Sequence, residues 1–471
     1  MLVGHTRHDP NAAMAEAKAL GVDVVRVFVS WAGVSPGRTS RRRPAGFDVG
    51  NPASPGYNWS LYDAFVDRAR ANGIKILLTL SPPIPFWASE EPRRCPHRIG
   101  GYRDLERSCM WKPVPKLFGQ FAKAVARRYG SRAPAPRNGL PSGGGRQVAF
   151  YSLWNEPNLE HYLYPQLKRT REGTVDLAAR RYRELWQEGW KAIARYDSPM
   201  RNKVLFGETA AISSPIDTFY AALCLDEDGR PFRGTLRMLQ GCSKPGRLPI
   251  GGVAVHPYNK DGGGSVFSRA FTLDSHPLAY LRRMHTAMDR AARHGRIPPG
   301  RGIHVTEFGF QSSPPDRIVR IGLARHAGLL NEAERLFFGD SRIKSTAQYE
   351  LFDTPDHREF NTGLRLRGGR KKPAWEAFRM PLVVTRLSGG LVEVWGMVRP
   401  ATGRVRPSVR VSSGGAYTTA ARPLTNPAGY FRIRLRRPGA ERLRYRLEWR
   451  TGSETLRSRV ARAGRPIGYL D

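Results

Sequence analysis

Through residue 380 the chain alternates between apolar, often β-branched runs and longer stretches in which apolar residues recur at helical spacing. The apolar runs predict eight strands, at residues 2–4, 24–29, 74–80, 147–154, 203–208, 252–256, 303–307 and 345–351. The helical patterns cover residues 10–20, 60–72, 115–129, 175–196, 277–294 and 316–337. Eight strands with helical connections indicate an α/β fold, the (β/α)8 TIM barrel. An open doubly wound sheet is the alternative, but no Gly-x-Gly-x-x-Gly turn follows an early strand.

The pattern changes near residue 380. Short segments with period-two alternation follow, separated by Gly, Pro and Asn turns, at residues 391–398, 405–411, 429–435 and 443–449. This spacing predicts a small C-terminal antiparallel β-sandwich, Ig-like in architecture. A chain of 471 residues also exceeds what one hydrophobic core usually holds. We therefore expect a barrel domain over residues 1–380 and an accessory sandwich over residues 381–471.

Composition narrows the class of protein. With 40% hydrophobic and 10% aromatic residues, the chain resembles globular proteins and not disordered ones. No apolar run approaches the roughly 18 residues that a membrane helix needs. We expect no transmembrane segment, and nothing in the sequence argues against a monomer.

The formal net charge of +37 and the pI of about 10.9 are extreme. One interpretation is attraction to a polyanion such as an acidic glycan or an anionic envelope surface. The other is an arginine-rich bias spread over a solvated surface. We favour the second, because the basic residues are dispersed, with tight clusters only at residues 41–43 and 370–372. No nucleic-acid-binding motif is present, so no specific nucleic-acid partner is expected.

The four cysteines fall into two local pairs, Cys95 with Cys109 and Cys224 with Cys242. Neither pair has the Cys-x-x-Cys spacing of zinc or thioredoxin-like sites. We expect each pair to close a disulfide across a long loop, with buried free thiols as the alternative. Disulfides favour an extracellular or cell-envelope location. Because the chain opens on no signal peptide, we expect that an upstream leader has been lost.

Two of the predicted strands end in a glutamate. One reads Tyr-Ser-Leu-Trp-Asn-Glu-Pro-Asn over residues 151–158, and the other reads Ile-His-Val-Thr-Glu-Phe-Gly over residues 303–309. Side chains at the carboxyl ends of barrel strands converge, so Glu156 and Glu307 are expected to face each other. Hydrolysis of a glycosidic bond needs such a pair, one carboxyl to protonate the leaving oxygen and one to attack the sugar or activate water. For each glutamate alone, a helix cap or an ion pair with arginine is the alternative.

The Trp-Asn-Glu-Pro segment at 154–157 and the Thr-Glu-Phe-Gly segment at 306–309 resemble those of glycoside hydrolase clan A. This clan of retaining TIM-barrel enzymes includes the cellulase-like family 5 and the β-xylosidase family 39. The resemblance covers about residues 1–380 and does not select a family within the clan. It implies that Glu156 is the general acid/base and Glu307 the nucleophile. It further implies that Asn155 hydrogen-bonds the 2-hydroxyl of the sugar being cleaved.

Three more residues match positions of the clan. Arg26, on the second predicted strand, resembles the arginine that holds the nucleophile ionised and oriented, with a surface or barrel-bottom ion pair as the alternative. His256 and Tyr258, in the Val-His-Pro-Tyr segment at 255–258, resemble the pair on the clan's sixth strand. The resemblance implies that Tyr258 donates to Glu307 and that His256 binds a sugar hydroxyl. A satisfied core histidine is the alternative for His256.

Other strand ends and loops offer candidate substrate contacts. Glu208 ends a predicted strand and either accepts from a sugar hydroxyl or forms a structural ion pair. Trp31, Trp87 and Trp111 are candidate platforms for sugar stacking, because a pyranose face packs well on an aromatic ring. Core packing is the alternative for each of the three.

The chain departs from the clan on the eighth strand, where clan members often carry a tryptophan under the sugar being cleaved. Either Tyr349 or Phe352 takes that place, or the family lacks the tryptophan. The departure concerns the substrate subsites and leaves the pair of glutamates intact.

The expected function is therefore retaining hydrolysis of a β-linked poly- or oligosaccharide. Long loops such as residues 81–113 suggest a cleft, which favours endo action. No cofactor or metal is expected, because the histidines form no His-x-x-x-His pattern and no phosphate-binding glycine loop is present. The alternative is a non-catalytic carbohydrate- or polyanion-binding envelope protein on the same scaffold.

Overall fold

The computed structural model describes residues 9–96, 108–131, 147–259, 264–270, 272–354, 360–437 and 439–470. Its strands are β1 (Val24–Ser30), β2 (Lys75–Ser81), β3 (Val148–Leu153), β4 (Leu167–Thr170), β5 (Gly173–Asp176), β6 (Val204–Ala210), β7 (Gly252–His256), β8 (Ile303–Phe308), β9 (Ile343–Gln348), β10 (Leu382–Arg386), β11 (Leu391–Met397), β12 (Ser408–Ser412), β13 (Thr418–Ala421), β14 (Tyr430–Arg436), β15 (Arg444–Thr451), β16 (Glu454–Arg457) and β17 (Ala463–Gly464). Its α-helices are α1 (Pro10–Ala19), α2 (Trp31–Val34), α3 (Ser60–Ala71), α4 (Pro115–Tyr129), α5 (Leu177–Tyr196), α6 (Pro215–Ala222), α7 (Gly234–Leu239), α8 (Arg282–Arg293), α9 (Leu323–Phe338) and α10 (Pro373–Arg379).

Seven strands form one parallel sheet in the order β1-β2-β3-β6-β7-β8-β9. The order follows the chain, and the short antiparallel hairpin of β4 and β5 stands apart from the sheet. Helices connect the strands, and the expected TIM barrel is confirmed. Each of the seven strands was predicted from its apolar run to within a few residues. The strand predicted at residues 2–4 lies outside the described residues.

The interior of the barrel changes from apolar to polar along the strands. Toward the amino ends, Leu77, Leu205 and Ala254 form a small apolar cluster, against which Val24 and Phe150 pack. Inward positions recur every second residue of a strand. Two residues further along β1, β2, β3 and β7, the inward side chains are polar, and β8 adds a further one. These residues are Arg26, Thr79, Ser152, His256 and Thr306. The polar layer thus lies at the carboxyl ends, where barrel enzymes carry their functional side chains.

The helix α5 illustrates how the outer helices are fixed to the barrel wall. Asp176 caps it by accepting a hydrogen bond from the backbone N–H of Ala179 at 2.7 Å. Residues at helical spacing form its buried face, including Ala178, Tyr182, Leu185, Trp186 and Ile193. The indole of Trp186 also donates to the backbone oxygen of Leu205 in β6 at 2.8 Å. Apolar packing and this bond together set the position of the helix.

Both expected disulfides are present, Cys95–Cys109 and Cys224–Cys242. The guanidinium of Arg183 lies against the second one, with its Nη1 at 3.2 Å from the sulfur of Cys224. Among the described helices, none has the length and apolar character needed to traverse a bilayer.

The C-terminal segment forms two four-stranded sheets, in the orders β14-β11-β10-β17 and β13-β12-β15-β16. Their facing apolar residues form a separate core that includes Val384, Val394, Val409, Tyr445 and Leu447. The predicted β-sandwich is thereby confirmed. Pairing is antiparallel except between β10 and β17, which run parallel. The proposed domain division at residue 380 falls between α10 and β10.

The sandwich is attached to the barrel chiefly through α9. Asn331, fully buried, donates from Nδ2 to the backbone oxygen of Ala377 at 2.7 Å. Its Oδ1 accepts from the backbone N–H of Leu382 at 3.2 Å and from Nε of Arg459 at 2.8 Å. One amide therefore ties the last barrel helix, the first sandwich strand and a distant arginine together.

Two arginines at this same junction are paired with glutamates. Arg335 forms an ion pair with Glu393 at 2.7 Å, and Arg399 forms one with Glu334. Each of these charges is balanced by its glutamate, so the two arginines contribute nothing to the net charge of +37.

We expect Asn331→Ala to lower the free energy of unfolding by about 1–3 kcal/mol, because several buried polar groups lose their partners. Denaturant unfolding followed by tryptophan fluorescence measures the change. Asn202, an exposed asparagine, supplies the control Asn202→Ala, which is expected to match the wild type. An unchanged unfolding midpoint for Asn331→Ala would show that the junction does not depend on this amide.

Candidate active site

The polar side chains inside the barrel surround Glu156 and Glu307. Glu307 is the fifth residue of β8, and Glu156 lies three residues after the end of β3. One oxygen of each carboxylate and one ring nitrogen of His256 all lie within 4.8 Å of one another. Both side chains are largely buried yet retain some exposure, 13% for Glu156 and 8% for Glu307. The structure therefore brings the two strand-end glutamates together at the mouth of the barrel.

Arg26 is the central cation of the site. Its Nη1 lies 2.5 Å from Oε1 of Glu307, and its Nη2 lies 2.7 Å from Oε2 of Glu208. Nη2 also donates to Oδ1 of Asn155 at 3.0 Å, and Nε donates to Oγ1 of Thr79 at 2.9 Å. The fork of a guanidinium suits such bonding to several acceptors at once. Arg26 is thus placed in the barrel interior beside Glu307, and not on the surface or the barrel bottom.

Glu307 is held at both oxygens. Arg26 contacts Oε1, and the hydroxyl of Tyr258 donates to Oε2 at 2.9 Å. Tyr258 itself is partly buried beside acids, and burial followed by the charge of Glu307 raises its pKa well above the usual range. It therefore remains a proton donor at any physiological pH. The two donors fix the orientation of the Glu307 carboxylate.

His256 bridges the acids. Its Nδ1 lies 2.8 Å from Oε1 of Glu156, and its Nε2 lies 2.7 Å from Oε2 of Glu208. Burial by itself would lower the pKa of His256, but the charge of Glu307 and the hydrogen bonds to Glu156 and Glu208 outweigh it and raise the pKa to about 9. His256 is therefore an imidazolium at neutral pH. It is buried, as in the core alternative, but its partners are the acids of the site.

Glu156 has the environment of a proton donor. Burial raises its pKa, and the charge of Glu307 adds to that rise. The hydrogen bond and charge of His256 act in the opposite direction without cancelling the effect. A general acid needs a carboxyl whose pKa is shifted in this direction.

Glu208 lies deeper in the same cluster, with 1% of its side chain exposed. Burial would raise its pKa, but Arg26 and His256 reverse this and lower it to about 2. Of the two interpretations left open by the sequence, the buried ion pair describes what the structure contains. A direct contact with a sugar hydroxyl is not compatible with this burial.

The tryptophans divide into two groups. Trp31 and Trp87 lie inside the main hydrophobic core, where Trp31 stacks on Phe121 at 5.5 Å. Trp87 packs against Phe47 and donates from its indole to the backbone of Pro36. The core alternative therefore describes both rings, which present no face to a substrate. The sequence could not distinguish these cases, because exposure of a ring depends on which distant residues pack over it.

Trp111 and Tyr349 are less buried than these two tryptophans. Trp111 is partly exposed and packs beside Tyr164, with ring centroids 5.1 Å apart. Tyr349 packs edge-on against Tyr258 at 6.3 Å. Both rings lie in segments that follow a barrel strand.

Three residues of the site were not singled out from the sequence. Thr79 accepts from Arg26, and Thr306 donates to Oε2 of Glu208 at 2.8 Å. Phe360, partly exposed, lies 5.1 Å from the ring of Tyr258. A polar residue at an inward position of an apolar strand was the signal for the two threonines. Phe360 carries no comparable signal, because it lies in a loop.

The donor types of Glu156, His256 and Glu307 also prompt the question of a metal ion. Within the described part of the chain, this is the one group with suitable donors and spacing. However, Nη1 of Arg26 already lies 2.5 Å from Glu307 and 3.4 Å from His256. A divalent ion there would be repelled by two cations. The cluster is better suited to proton transfer than to holding a metal.

No protein-family profile matches the sequence, and no curated protein matches it. The solved structures that match in fold include a glucosidase from Croceicoccus marinus, 13% identical over 88% of this chain and 77% of that one, with a TM-score of 0.49. An endo-β-1,4-glucanase from Xanthomonas axonopodis pv. citri is 12% identical over 80% of this chain and 91% of that one, with a TM-score of 0.41. A family 1 β-glucosidase from Thermotoga maritima is 12% identical over 78% and 84% of the two chains, also with a TM-score of 0.41.

All three are glycoside hydrolases, as is the clan that the two glutamate segments resemble. Because every one of these TM-scores is below 0.5, the roles assigned below rest on the geometry of the site.

We expect the contribution of His256 to stability to depend on pH in a defined direction. Its pKa in the folded protein is raised from 6.5 to about 9. The stability that it contributes is therefore full below about pH 6.5 and is lost as the pH rises through 9. Thermal unfolding of wild type and His256→Gln at pH 6 and pH 9.5 measures this. The wild type should have a clearly higher melting temperature than His256→Gln at pH 6, and the difference should be smaller at pH 9.5. An equal difference in melting temperature at both pH values would contradict a charged His256.

Proposed function

We propose that the chain is a retaining glycoside hydrolase that cleaves O-glycosidic bonds of a β-linked poly- or oligosaccharide. The proximity of Glu156 and Glu307, with carboxylate oxygens no more than 4.8 Å apart, carries the proposal. Retaining enzymes have carboxyl groups about 5 Å apart, whereas inverting enzymes leave about 6.5–9.5 Å for a water molecule. The environments of the two acids also differ as their roles require. Glu307, the nucleophile, is bonded to the guanidinium of Arg26, and Glu156, the acid, has a raised pKa.

In the first step, a carboxylate oxygen of Glu307 attacks the anomeric carbon of the bound sugar and forms a covalent ester. The bond from that carbon to the glycosidic oxygen breaks, and its electron pair moves to the leaving oxygen. Glu156 transfers its proton to this oxygen, so the leaving sugar departs as a neutral alcohol. Glu156 is then a carboxylate next to the imidazolium of His256.

In the second step, Glu156 acts as a base. It takes a proton from a water molecule whose oxygen attacks the anomeric carbon from the face that the leaving group vacated. The ester bond breaks, and its electron pair returns to Glu307. Two inversions give net retention, and both carboxyl groups end in their starting states.

Neighbouring groups support these roles. Arg26 and Tyr258 hold the two oxygens of Glu307 in one orientation, which fixes the line of attack. Asn155 is oriented because its Oδ1 accepts from Arg26 at 3.0 Å. The opposite side of its amide carries the N–H donors, which we assign to the 2-hydroxyl of the sugar at the cleaved bond.

For the wider substrate, we propose that Trp111, Tyr349 and Phe360 supply aromatic surface to sugar units next to the cleaved bond. All three lie in segments that follow a barrel strand, and Phe360 and Trp111 are partly exposed. Long loops at this face favour a cleft and endo action. Two disulfides support an extracellular or envelope location for the enzyme.

Replacing the nucleophile tests the proposal most simply. We expect Glu307→Ala to lower kcat by at least about 10³-fold, measured as reducing-end release from a panel of neutral and acidic β-glycans. Glu160, an exposed glutamate that follows the same strand as Glu156, supplies the control Glu160→Ala, which should keep wild-type activity. If the wild type releases no sugar but binds acidic glycans in a salt-dependent way, the polyanion-binding alternative replaces the proposal.

Replacing the acid has a different signature. We expect Glu156→Ala to lose about 10²–10⁴-fold on a natural glycan but much less on an aryl glycoside with a very acidic leaving phenol, which departs without protonation. Added azide should accelerate the variant and yield a β-glycosyl azide, because the anion attacks the anomeric carbon without a base and the electron pair of the ester bond returns to Glu307. Equal losses on both substrates, with no azide effect, would show that Glu156 is not the acid/base.

A further inference from the structure

Glu208 is the third carboxylate of the site and has no step in the mechanism above. A single oxygen, Oε2, receives three donors: Nη2 of Arg26 at 2.7 Å, Nε2 of His256 at 2.7 Å and Oγ1 of Thr306 at 2.8 Å. At 1% exposure its side chain lies beneath the groups that meet the substrate. Its contacts are with residues that touch Glu156 and Glu307, so any effect on catalysis passes through them.

The backbone at Glu208 is shaped to aim this side chain inward. The register between β6 and β7 shifts between Gly207 and Thr209, which marks a β-bulge at Glu208. Glu208 has a φ of 51°, in the left-handed region that few non-glycine residues adopt. A Cβ on Gly207 would lie 2.7 Å from the backbone oxygen of Ala254, so a glycine is needed there. Strained backbone of this kind is usually retained for function.

The main chain also couples Glu208 to the acid. The backbone N–H of Glu156 donates to the backbone oxygen of Glu208 at 2.9 Å. Glu156 too has a positive φ, of 41°. The two glutamates therefore share a main-chain bond and, through His256, a side-chain connection.

The proton positions on His256 follow from this geometry. An ionised Glu208 at 2.7 Å from Nε2 requires a proton on that nitrogen, because two lone pairs would otherwise face each other. The remaining ring proton lies between Nδ1 and Oε1 of Glu156, 2.8 Å apart. With Nε2 occupied, this second position is the one at which the imidazole and Glu156 exchange a proton.

The other charged groups around His256 come from several elements. Glu307 on β8 lies 3.8 Å from Nε2, and Arg26 on β1 lies 3.4 Å from it. His276, in the segment after β7, is also near enough for His256 to disfavour its charge, and burial first of all lowers the pKa of His276 to about 4. His276 is therefore neutral. The ionisable groups that face His256 are the carboxyl groups of Glu156, Glu208 and Glu307 and the guanidinium of Arg26.

We propose that Glu208 is a positioning residue that fixes Arg26 and His256 between the two catalytic carboxylates and thereby sets the pH range over which Glu156 holds its proton. This inference rests on the proposed glycosidase function. Removing the negative charge of Glu208 makes loss of a proton from its neighbours easier, which moves every such ionisation to lower pH.

The test is the pH dependence of kcat/KM for wild type, Glu208→Gln and Glu208→Asp on an active substrate. In Glu208→Gln the alkaline limb is expected to move down by at least about 1 pH unit. Its kcat should fall while KM changes little, because Glu208 does not touch the substrate. Glu208→Asp keeps the charge and should lie between the other two. An unmoved limb in a folded Glu208→Gln overturns the proposal.

Asp197 provides the matched control. It is a fully buried carboxylate that accepts from the hydroxyl of Tyr151 at 2.9 Å, away from the cluster of Glu156 and Glu307. Asp197→Asn should lower the melting temperature and leave the alkaline limb in place. The same shift in Asp197→Asn would assign the effect to general loosening of the barrel and overturn the proposal.

A second readout separates this inference from the proposed function. The imidazole of His256 can be titrated by NMR without any substrate. In the wild type it should stay protonated to about pH 9, and in Glu208→Gln it should titrate at lower pH. If no glycan is cleaved but His256 shifts in this way, the proposed function fails while the role of Glu208 on His256 stands. If His256 titrates alike in both, the role of Glu208 fails whatever the activity.

Discussion

A guanidinium buried among carboxylates is the interaction on which the rest of this site depends. Arg26 is 1% exposed, and taking its charge out of water is costly unless anions and hydrogen-bond acceptors replace the lost hydration. Glu307 and Glu208 supply the anions, and Thr79 and Asn155 supply neutral acceptors. These groups are partners of one another, although Oε1 of Glu208 is buried without a hydrogen-bond partner. Removing one member therefore leaves further polar groups buried without partners.

The barrel supplies the geometry that this cluster needs. Parallel strands place every second side chain inside, and only near their carboxyl ends does the interior become polar. The extreme net charge of +37 comes from residues outside the site, where Arg26 and His256 face three carboxyl groups. Arginines such as Arg335 and Arg399 are paired at the junction with the sandwich, and others are spread along the chain. The basic charge is therefore not part of the cluster around Glu156 and Glu307.

Much of this was predictable from the sequence, for physical reasons. Long apolar runs identify buried strands, so the sequence alone places Glu156 and Glu307 at converging strand ends. Exposure of the tryptophans could not be predicted, because the packing of distant residues decides it; Trp31 is covered by Phe118 and Phe121 of α4. The place of Glu208 was equally hidden, since a β-bulge and a positive φ aim its side chain. Strand pattern predicts which residues point inward, but not what they meet there.

The central claim is that Glu307 forms a covalent bond to the sugar. It is tested most directly by treating the enzyme with a panel of activated 2-deoxy-2-fluoro-β-glycosides, which slow the second step, and mapping the label by peptide mass spectrometry. The account predicts one stoichiometric fluoroglycosyl group on the peptide that contains Glu307, with loss of activity in parallel. A label on Glu156 or Glu208, or turnover of the natural substrate with inversion and no label, would contradict it.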